Sequence, residues 1–274
     1  MNDARKYQTI KVEKRGATDW VTLDRPEQLN TLNHCMIDEL LHYFGERTFD
    51  LDTRAIVLRG AGRAYCAGLD LADSDGGDRA FEPSPGSPTI MLRLQRRISE
   101  IVMRMRRVPQ PIVSLVHGPA CGGGFALALA SDVRIAGQSA KMNAAFIRIG
   151  LSACDIGVSY FLPRLVGVSV ASELMLTGRF IRAERAERVG LVSEVCPDAE
   201  LEQAGMRLVE EMLDTAPLGL RLTKDCLNHS VNAASLDAAI AMEDRNQVLC
   251  AQTEDFREGV QAFMKKRAPS YSGR

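Results

Sequence analysis

The sequence lacks the features that would place it in a membrane, on nucleic acid, or among several familiar hydrolase and nucleotide-binding classes. Its longest apolar run, around residues 125–130, is far shorter than the roughly 20 residues a membrane-spanning helix needs. Its 34 Lys and Arg residues nearly balance its 35 Asp and Glu residues, and a formal net charge of −1 gathers neither nucleic acid nor anionic lipid. Seven cysteines, at 35, 66, 121, 154, 196, 226 and 250, form no CxxC and no zinc-ligand spacing, so no metal is expected. The opening MNDARKYQTI has no apolar core of the signal-peptide kind. An odd, scattered set of thiols without such a leader reads as reduced cysteine in the cytoplasm. There is no GxSxG elbow, no GxxxxGK[ST] phosphate loop and no exact internal repeat. None of the four histidines, at 34, 42, 117 and 229, stands at a recognisable spacing from a serine or cysteine nucleophile.

What is present is the composition of a globular protein. At 274 residues, 46% hydrophobic and 25% charged, the chain suffices for one large domain or a domain with an appendage. Its organising stretch is IVSLVHGPACGGGFALALASDVRIA, residues 112–136. The β-branched run 112–116 suits a buried strand, and the Ala/Leu run 125–130 suits a buried helix. Between them lie Gly118, Pro119, Gly122, Gly123 and Gly124. Strand, glycine cluster and helix start, in that order, leave bare N–H groups at the positive end of a helix. Such a turn is an anion or oxyanion site, or a tight turn needed only for packing.

Alternation at 10–14 and 20–23 around Gly16 predicts an antiparallel hairpin. Asn33 is a candidate N-cap for a helix through residue 44, with Met36, Ile37, Leu40, Leu41 and Phe44 at helical spacing. RAIVLR (54–59) is a strand, and AYCAGLDL (64–71) is a second glycine turn beside one. Residues 72–87, rich in Asp, Gly, Pro and Ser, form a loop that reads as a lid or as a surface insertion. An amphipathic helix over 91–108 turns Leu94, Ile98, Ile101, Val102 and Met105 inward. Its arginines read as a solvated face in preference to a phosphate contact. A strand at 133–136, short helices at 173–176 and 183–189, and an extended piece at 190–195 continue a loose strand–helix alternation. From 199 onward the pattern is helical, with Ser235 capping a helix through 249 and a last amphipathic helix at 255–266.

These segments carry a resemblance. RPEQLNTLN (25–33) resembles the RPxxxNALN segment of the crotonase (enoyl-CoA hydratase/isomerase) superfamily. AYCAGLDL is similar to its FxAGxDL turn, HGPACGGGFALALASDVRIA (117–136) to its GxxxGGG helix start, LPRLVG (162–167) to a typical segment, and FMKKR (263–267) to its C-terminal FxEKR. The motifs run in family order over nearly the whole chain. The resemblance implies an α/β fold: a spiral of ββα units over 1–198 bearing an acyl-CoA site, then a helical C-terminal segment, 199–274, through which subunits trimerise. It implies an acyl-CoA thioester as partner, with CoA part of the substrate and no separate cofactor, and a homotrimer or homohexamer. Matched residue by residue, the backbone N–H groups of Leu69 and Gly123 would form the oxyanion hole, holding an enolate more tightly than the ground-state carbonyl. Gln28, Leu29, Ala67 and Leu71 match positions lining the CoA groove. Lys266 matches a lysine that reaches CoA phosphates, in the family often from a neighbouring subunit; otherwise it is a surface lysine.

The departures concern proton transfer. Where hydratases of the family carry their two glutamates, this chain has Ala126 and Phe146, and no glutamate occurs from 101 to 172. Hydration needs one group to activate water and one to deliver a proton, which alanine and phenylalanine cannot do. Asp155, in CDIG (154–157), matches an aspartate used by relatives with isomerase or dehalogenase activity. It reads as an acid/base with a pKa raised by apolar neighbours, or as the cap of the next helix. Asp132 reads as structural, and Cys154 as a small buried hydrophobe. The expectation is therefore an acyl-CoA enzyme with Leu69, Gly123 and Asp155 as catalytic groups, favouring isomerase-type proton transfer. The rivals are a non-catalytic acyl-CoA-binding protein of the same fold and an atypical hydratase.

Overall fold

The expected hairpin forms from β1 (Ile10–Arg15) and β2 (Thr18–Leu23), antiparallel, with Ile10 opposite Leu23 and Arg15 opposite Thr18. The structure, a computed structural model, describes residues 6–72 and 88–274. All but the first residue of the expected loop at 72–87 lies outside the described residues. Asn33 caps α1 (His34–Arg47), its side chain accepting the Met36 N–H at 2.9 Å. From α1 the chain enters β3 (Ala55–Gly60), parallel to β2. Then α2 (Pro88–Arg107) precedes β4 (Ile112–Val116) and β5 (Pro119–Cys121), and α3 (Gly123–Ala130) precedes β6 (Val133–Gly137) and β7 (Lys141–Asn143). There follow α4 (Val158–Thr177), β8 (Ile181–Arg182), α5 (Ala183–Arg188) and β9 (Glu194–Cys196). The chain closes with α6 (Leu201–Leu213), α7 (Pro217–Ser230), α8 (Leu236–Ala251) and α9 (Glu254–Met264).

The large sheet has the order β1-β2-β3-β4-β6-β9, parallel from β2 onward, and a small sheet has the order β5-β7-β8. Successive turns of chain thus give one strand to each sheet: β4 then β5, β6 then β7. This is the spiral of ββα units expected from the motifs. Residues of β3 alternate between faces. Ile56 and Leu58 join Leu40, Phe44, Met105 and Phe125 beneath α1, α2 and α3. Ala55 and Val57 join Trp20, Val113 and Ile135 on the other side, against Leu201, Ala204 and Val209 of α6. Burial on both faces is why β3 and β4 read as continuous apolar runs.

The boundary drawn at 198/199 falls just before α6, yet α6 covers a face of the large sheet and belongs to its packing. Helix α7 is pinned by Lys224, whose Nζ donates to the carbonyls of Met105 at 3.1 Å and Gln110 at 2.7 Å and pairs with Asp132 at 2.8 Å. Burial pushes the Lys224 ammonium below its usual pKa, against the pull of Asp132. The short helix expected at 173–176 is the end of α4, which begins at Val158 and is interrupted at Gly167 (φ 76°, ψ 159°). Pro163 and Gly167 make this broken helix read as two, the helix after Asp155 and the short one at 173–176. No helix among the described residues is long and apolar enough to cross a membrane.

Candidate active site

The first wall of the site is the RPEQLN loop zipped to the AGLD turn. A 3-10 turn, Pro26–Gln28, ends in Leu29 and Asn30, both left-handed at φ 52° and 57°. Asn30 makes this tolerable. Its buried amide accepts the Arg25 N–H at 2.9 Å and donates to the carbonyls of Ala61 and Ala64 at 2.8 and 2.7 Å. The Ala67 N–H then donates to Leu29, the Leu32 N–H to Gly68 and the Asp70 N–H back to Leu32, at 2.8–3.0 Å. Arg25 fastens the corner by pairing with Asp70 at 2.8 Å. Gln28, Leu29, Ala67 and Leu71 are thereby brought to a shared edge, Leu29 and Ala67 half-buried and Gln28 and Leu71 exposed. Among the described residues the Leu69 N–H meets no acceptor.

The second wall is the start of α3. The Cys121 N–H donates to Cys66 at 2.9 Å and the Gly122 N–H to Asn143 at 3.0 Å, while the Gly123 N–H, at the first helical position, has no acceptor among the described residues. The carbonyl end of α3 is occupied. Arg134 donates to the carbonyls of Ser131 at 2.6 Å and Ala128 at 3.4 Å, and Arg106 donates to Ala130 at 3.1 Å. Burial brings the Arg134 guanidinium down to a pKa of about 10. The two walls meet because glycine allows it. A Cβ on Gly68 (φ 104°) would lie 2.9 Å from the Cys121 carbonyl oxygen, and one on Gly124 only 2.0 Å from that of Cys66. A Cβ on Gly123 would lie 3.8 Å from Gly68 Cα, and one on Gly68 3.6 Å from the Gly123 nitrogen, so the turns carrying the Leu69 and Gly123 N–H groups pack side by side. Two such fixed N–H groups can hold a developing oxyanion.

Ala126 is fully buried, and the Phe146 ring lies 3.4 Å from where a Cβ on Gly122 would be, so neither hydratase-glutamate position brings a carboxylate. Asp155 is half-buried; its Oδ1 accepts the Ile156 N–H at 2.8 Å and a hydrogen bond from Gln95 Nε2. Burial raises its carboxyl above the usual range, with those two donors opposing. Ile156 Cδ1 lies 3.8 Å from where a Cβ on Gly123 would be, which places the neighbour of Asp155 against that glycine. The capping alternative needs correction. The residue capping α4 is Gly157 and no side chain bonds there; Asp155 contributes only its backbone carbonyl, to the Val158 N–H at 2.8 Å.

Other expectations sort as follows. Asp132 is structural, held by Arg106 at 3.0 Å, the Ile112 N–H at 2.8 Å and Lys224. Cys154 is exposed, against the expectation of a buried thiol, because its loop runs at the surface. His117 is taken up by the Gly62 carbonyl at 2.9 Å. On α2, Arg97 pairs with Asp38, Arg104 and Arg107 with Glu100, and Arg106 with Asp132. Lys266 is exposed beyond the end of α9 and makes no ion pair among the described residues. No cluster of potential metal ligands occurs among the described residues. Gln95 escaped the sequence reading, since a neutral polar residue among arginines carries no periodic signal. Asn30, Arg25 and Asp70 lay inside the quoted motifs, but their mutual bonds cross between segments.

Residues 13–274 match the enoyl-CoA hydratase/isomerase family. A probable enoyl-CoA hydratase of Mycobacterium bovis is 38% identical over 253 residues, 92% of this chain and 88% of its own. The 1,2-epoxyphenylacetyl-CoA isomerase of Escherichia coli is 35% identical over 254 residues, 93% of this chain and 94% of its own. The crystal structure of an enoyl-CoA hydratase from Bacillus anthracis matches with a TM-score of 0.90 at 31% identity, covering 97% of this chain and all of that one. With the spiral fold and the paired glycine turns already in place, the chain belongs to the enoyl-CoA hydratase/isomerase family of the crotonase superfamily.

Proposed function

We propose that this protein moves a proton within an acyl-CoA thioester, shifting a double bond without adding water. The thioester oxygen would accept the N–H groups of Leu69 and Gly123. Asp155 would take a proton from a carbon next to the thioester or conjugated with it, and the electron pair would pass to the oxygen as an enolate. Asp155, after exchanging its proton with solvent, would deliver one proton to another carbon, so that one proton leaves the thioester and one returns, completing an isomerisation with every atom accounted for. Oxyanion donors of this kind are worth on the order of 10²–10³ in rate each. The observation carrying this reading is the set of acids: Ala126 and Phe146 stand at the two hydratase positions, and Asp155, with its raised pKa, is the carboxylate beside the crevice. A relative named as an isomerase at 35% identity supports it.

The same alanine and phenylalanine favour a second reading, an acyl-CoA-binding protein with no turnover; an atypical hydratase is the third. Incubation with a panel of enoyl-CoA thioesters in deuterated water separates them. Deuterium incorporation without any gain of water supports isomerisation, a gain of water supports hydration, and binding with neither supports the carrier. We further infer assembly as a homotrimer or homohexamer through the C-terminal helices, where Leu236, Phe263 and Met264 are 75%, 82% and 76% exposed. Placement in the cytoplasm rests on seven free thiols.

A further inference from the structure

The side chain that reaches Asp155 from elsewhere in the fold is Gln95, on α2. Gln95 Nε2 and the Ile156 N–H both donate to Oδ1 of Asp155, and Oδ2 has no partner among the described residues. The two oxygens are therefore unequal: one is saturated with donors and one is open. Among the described residues no cation shares the task. The arginines of α2 engage Asp38, Glu100 and Asp132 or, like Arg93 and Arg96, are exposed. Cys154 is exposed, and α3 and the 3-10 turn Ala145–Ile149 present Ala126 and Phe146. The Ile156 N–H is adjacent in the chain and moves with Asp155. Among the described residues only Gln95 ties the carboxylate to a second element, and it lies on the helix face that also carries Ile98 and Val102 into the core.

We propose that Gln95 is a positioning residue of this site: by occupying Oδ1 it fixes the carboxylate plane and leaves Oδ2 as the oxygen that exchanges the proton. The inference rests on Asp155 as proton carrier. Its loss has two separable effects. A donor to the ionised form is removed, so the carboxyl pKa rises. The carboxylate is also free to turn, so the reactive geometry is populated less often.

The test uses the thioester that shows deuterium uptake, with Gln95→Leu, Gln95→Asn, Gln95→Glu and Asp155→Asn in the full-length protein, each checked for a single cooperative melt. For Gln95→Leu the plateau rate should fall on the order of 10–100-fold with KM little changed. The acid limb of its pH–rate profile should move up by about one pH unit. Gln95→Asn, one methylene short, should follow Gln95→Leu, and Gln95→Glu should move the limb further because a second carboxylate faces the first. Carbon-13 titration of Asp155 in the same variants should report the same upward order without reference to turnover. A wild-type rate and limb in Gln95→Leu, with Asp155→Asn inactive, overturns the role of Gln95 and leaves that of Asp155 standing. A raised KM with an unmoved limb likewise overturns it. Full activity in Asp155→Asn defeats both.

Discussion

Gly124→Ala is the most direct perturbation of the crevice, because a single methyl group would be forced between its two walls. The new Cβ would meet the Cys66 carbonyl oxygen at 2.0 Å and the Cys66 Cβ at 2.7 Å. Restoring an ordinary contact of 3.4 Å needs a displacement of about 1.4 Å, and the obstacle is backbone, which cannot swing aside as a side-chain end can. Cys66 lies three residues before Leu69, and Gly124 follows Gly123, so the movement separates the two donors. Overpacking of this kind costs about 1–3 kcal/mol. Alanine returns up to about 1 kcal/mol of helix propensity. The net loss, about 0–3 kcal/mol, lowers the melting temperature by at most about 10 °C in a chain of this size. Turnover is far more sensitive: a misplacement of about 1 Å costs on the order of 10²-fold. Gly219→Ala is the matched control, since it lies on α7 with nothing within 4 Å of its Cβ position. It should gain up to about 1 kcal/mol and leave the rate alone. Deuterium uptake into the thioester, beside thermal melts, reads both quantities. A Gly124→Ala protein with the wild-type rate would refute the claim that this close approach sets the donor geometry.

Asp155→Asn should keep acyl-CoA affinity, measured by calorimetry, and lose on the order of 10²–10⁴ in turnover. Its effect on stability has a definite sign. A folded-state pKa above the unfolded value favours folding in acid and disfavours it as pH rises through the raised value. Denaturant midpoints should therefore shift in favour of the Asn variant at neutral pH and converge with wild type in acid. Lys224→Met should cost about 1–3 kcal/mol, because the carbonyls of Met105 and Gln110 lose a buried donor while Asp132 keeps Arg106 and the Ile112 N–H. Phe263→Asp, at a side chain 82% exposed, should convert the proposed trimer or hexamer to smaller species by light scattering without altering the melt of the sheet domain. A monomeric wild-type protein would reject the assembly instead.

What the sequence shows of this molecule follows from where its signals are local. Asn33 announced α1 because a cap bond spans three residues. The glycine turn before α3 was visible because strand, turn and helix are contiguous. The small sheet went unseen, since β5 and β7 are three residues each and too short for a period to register. Helix α4 was cut in two by Pro163 and Gly167; Gly167, at φ 76° and ψ 159°, does break it, whereas Pro163 sits inside its first half. Asp155 could be singled out by its motif, but not its partner. The bond from Gln95 joins segments whose approach only the folded chain creates, as does the Arg25–Asp70 pair. The exposed Cys154 misled because composition says where thiols usually lie and nothing of the loop that carries this one.

Helix α3 has no face to spare: all eight of its residues are buried, from Gly123 through Ala130, and arginines hold its far carbonyls. It cannot slide or turn without opening the core, so its amides should exchange with solvent only when the whole domain unfolds. The opposing segment, Ala67–Leu71, is partly open to solvent and held by backbone bonds to Leu29 and Leu32 and by Arg25, all from one loop with an exposed edge. The crevice is thus a vice with one immovable jaw, and whatever adjustment a thioester demands on entry falls to the other.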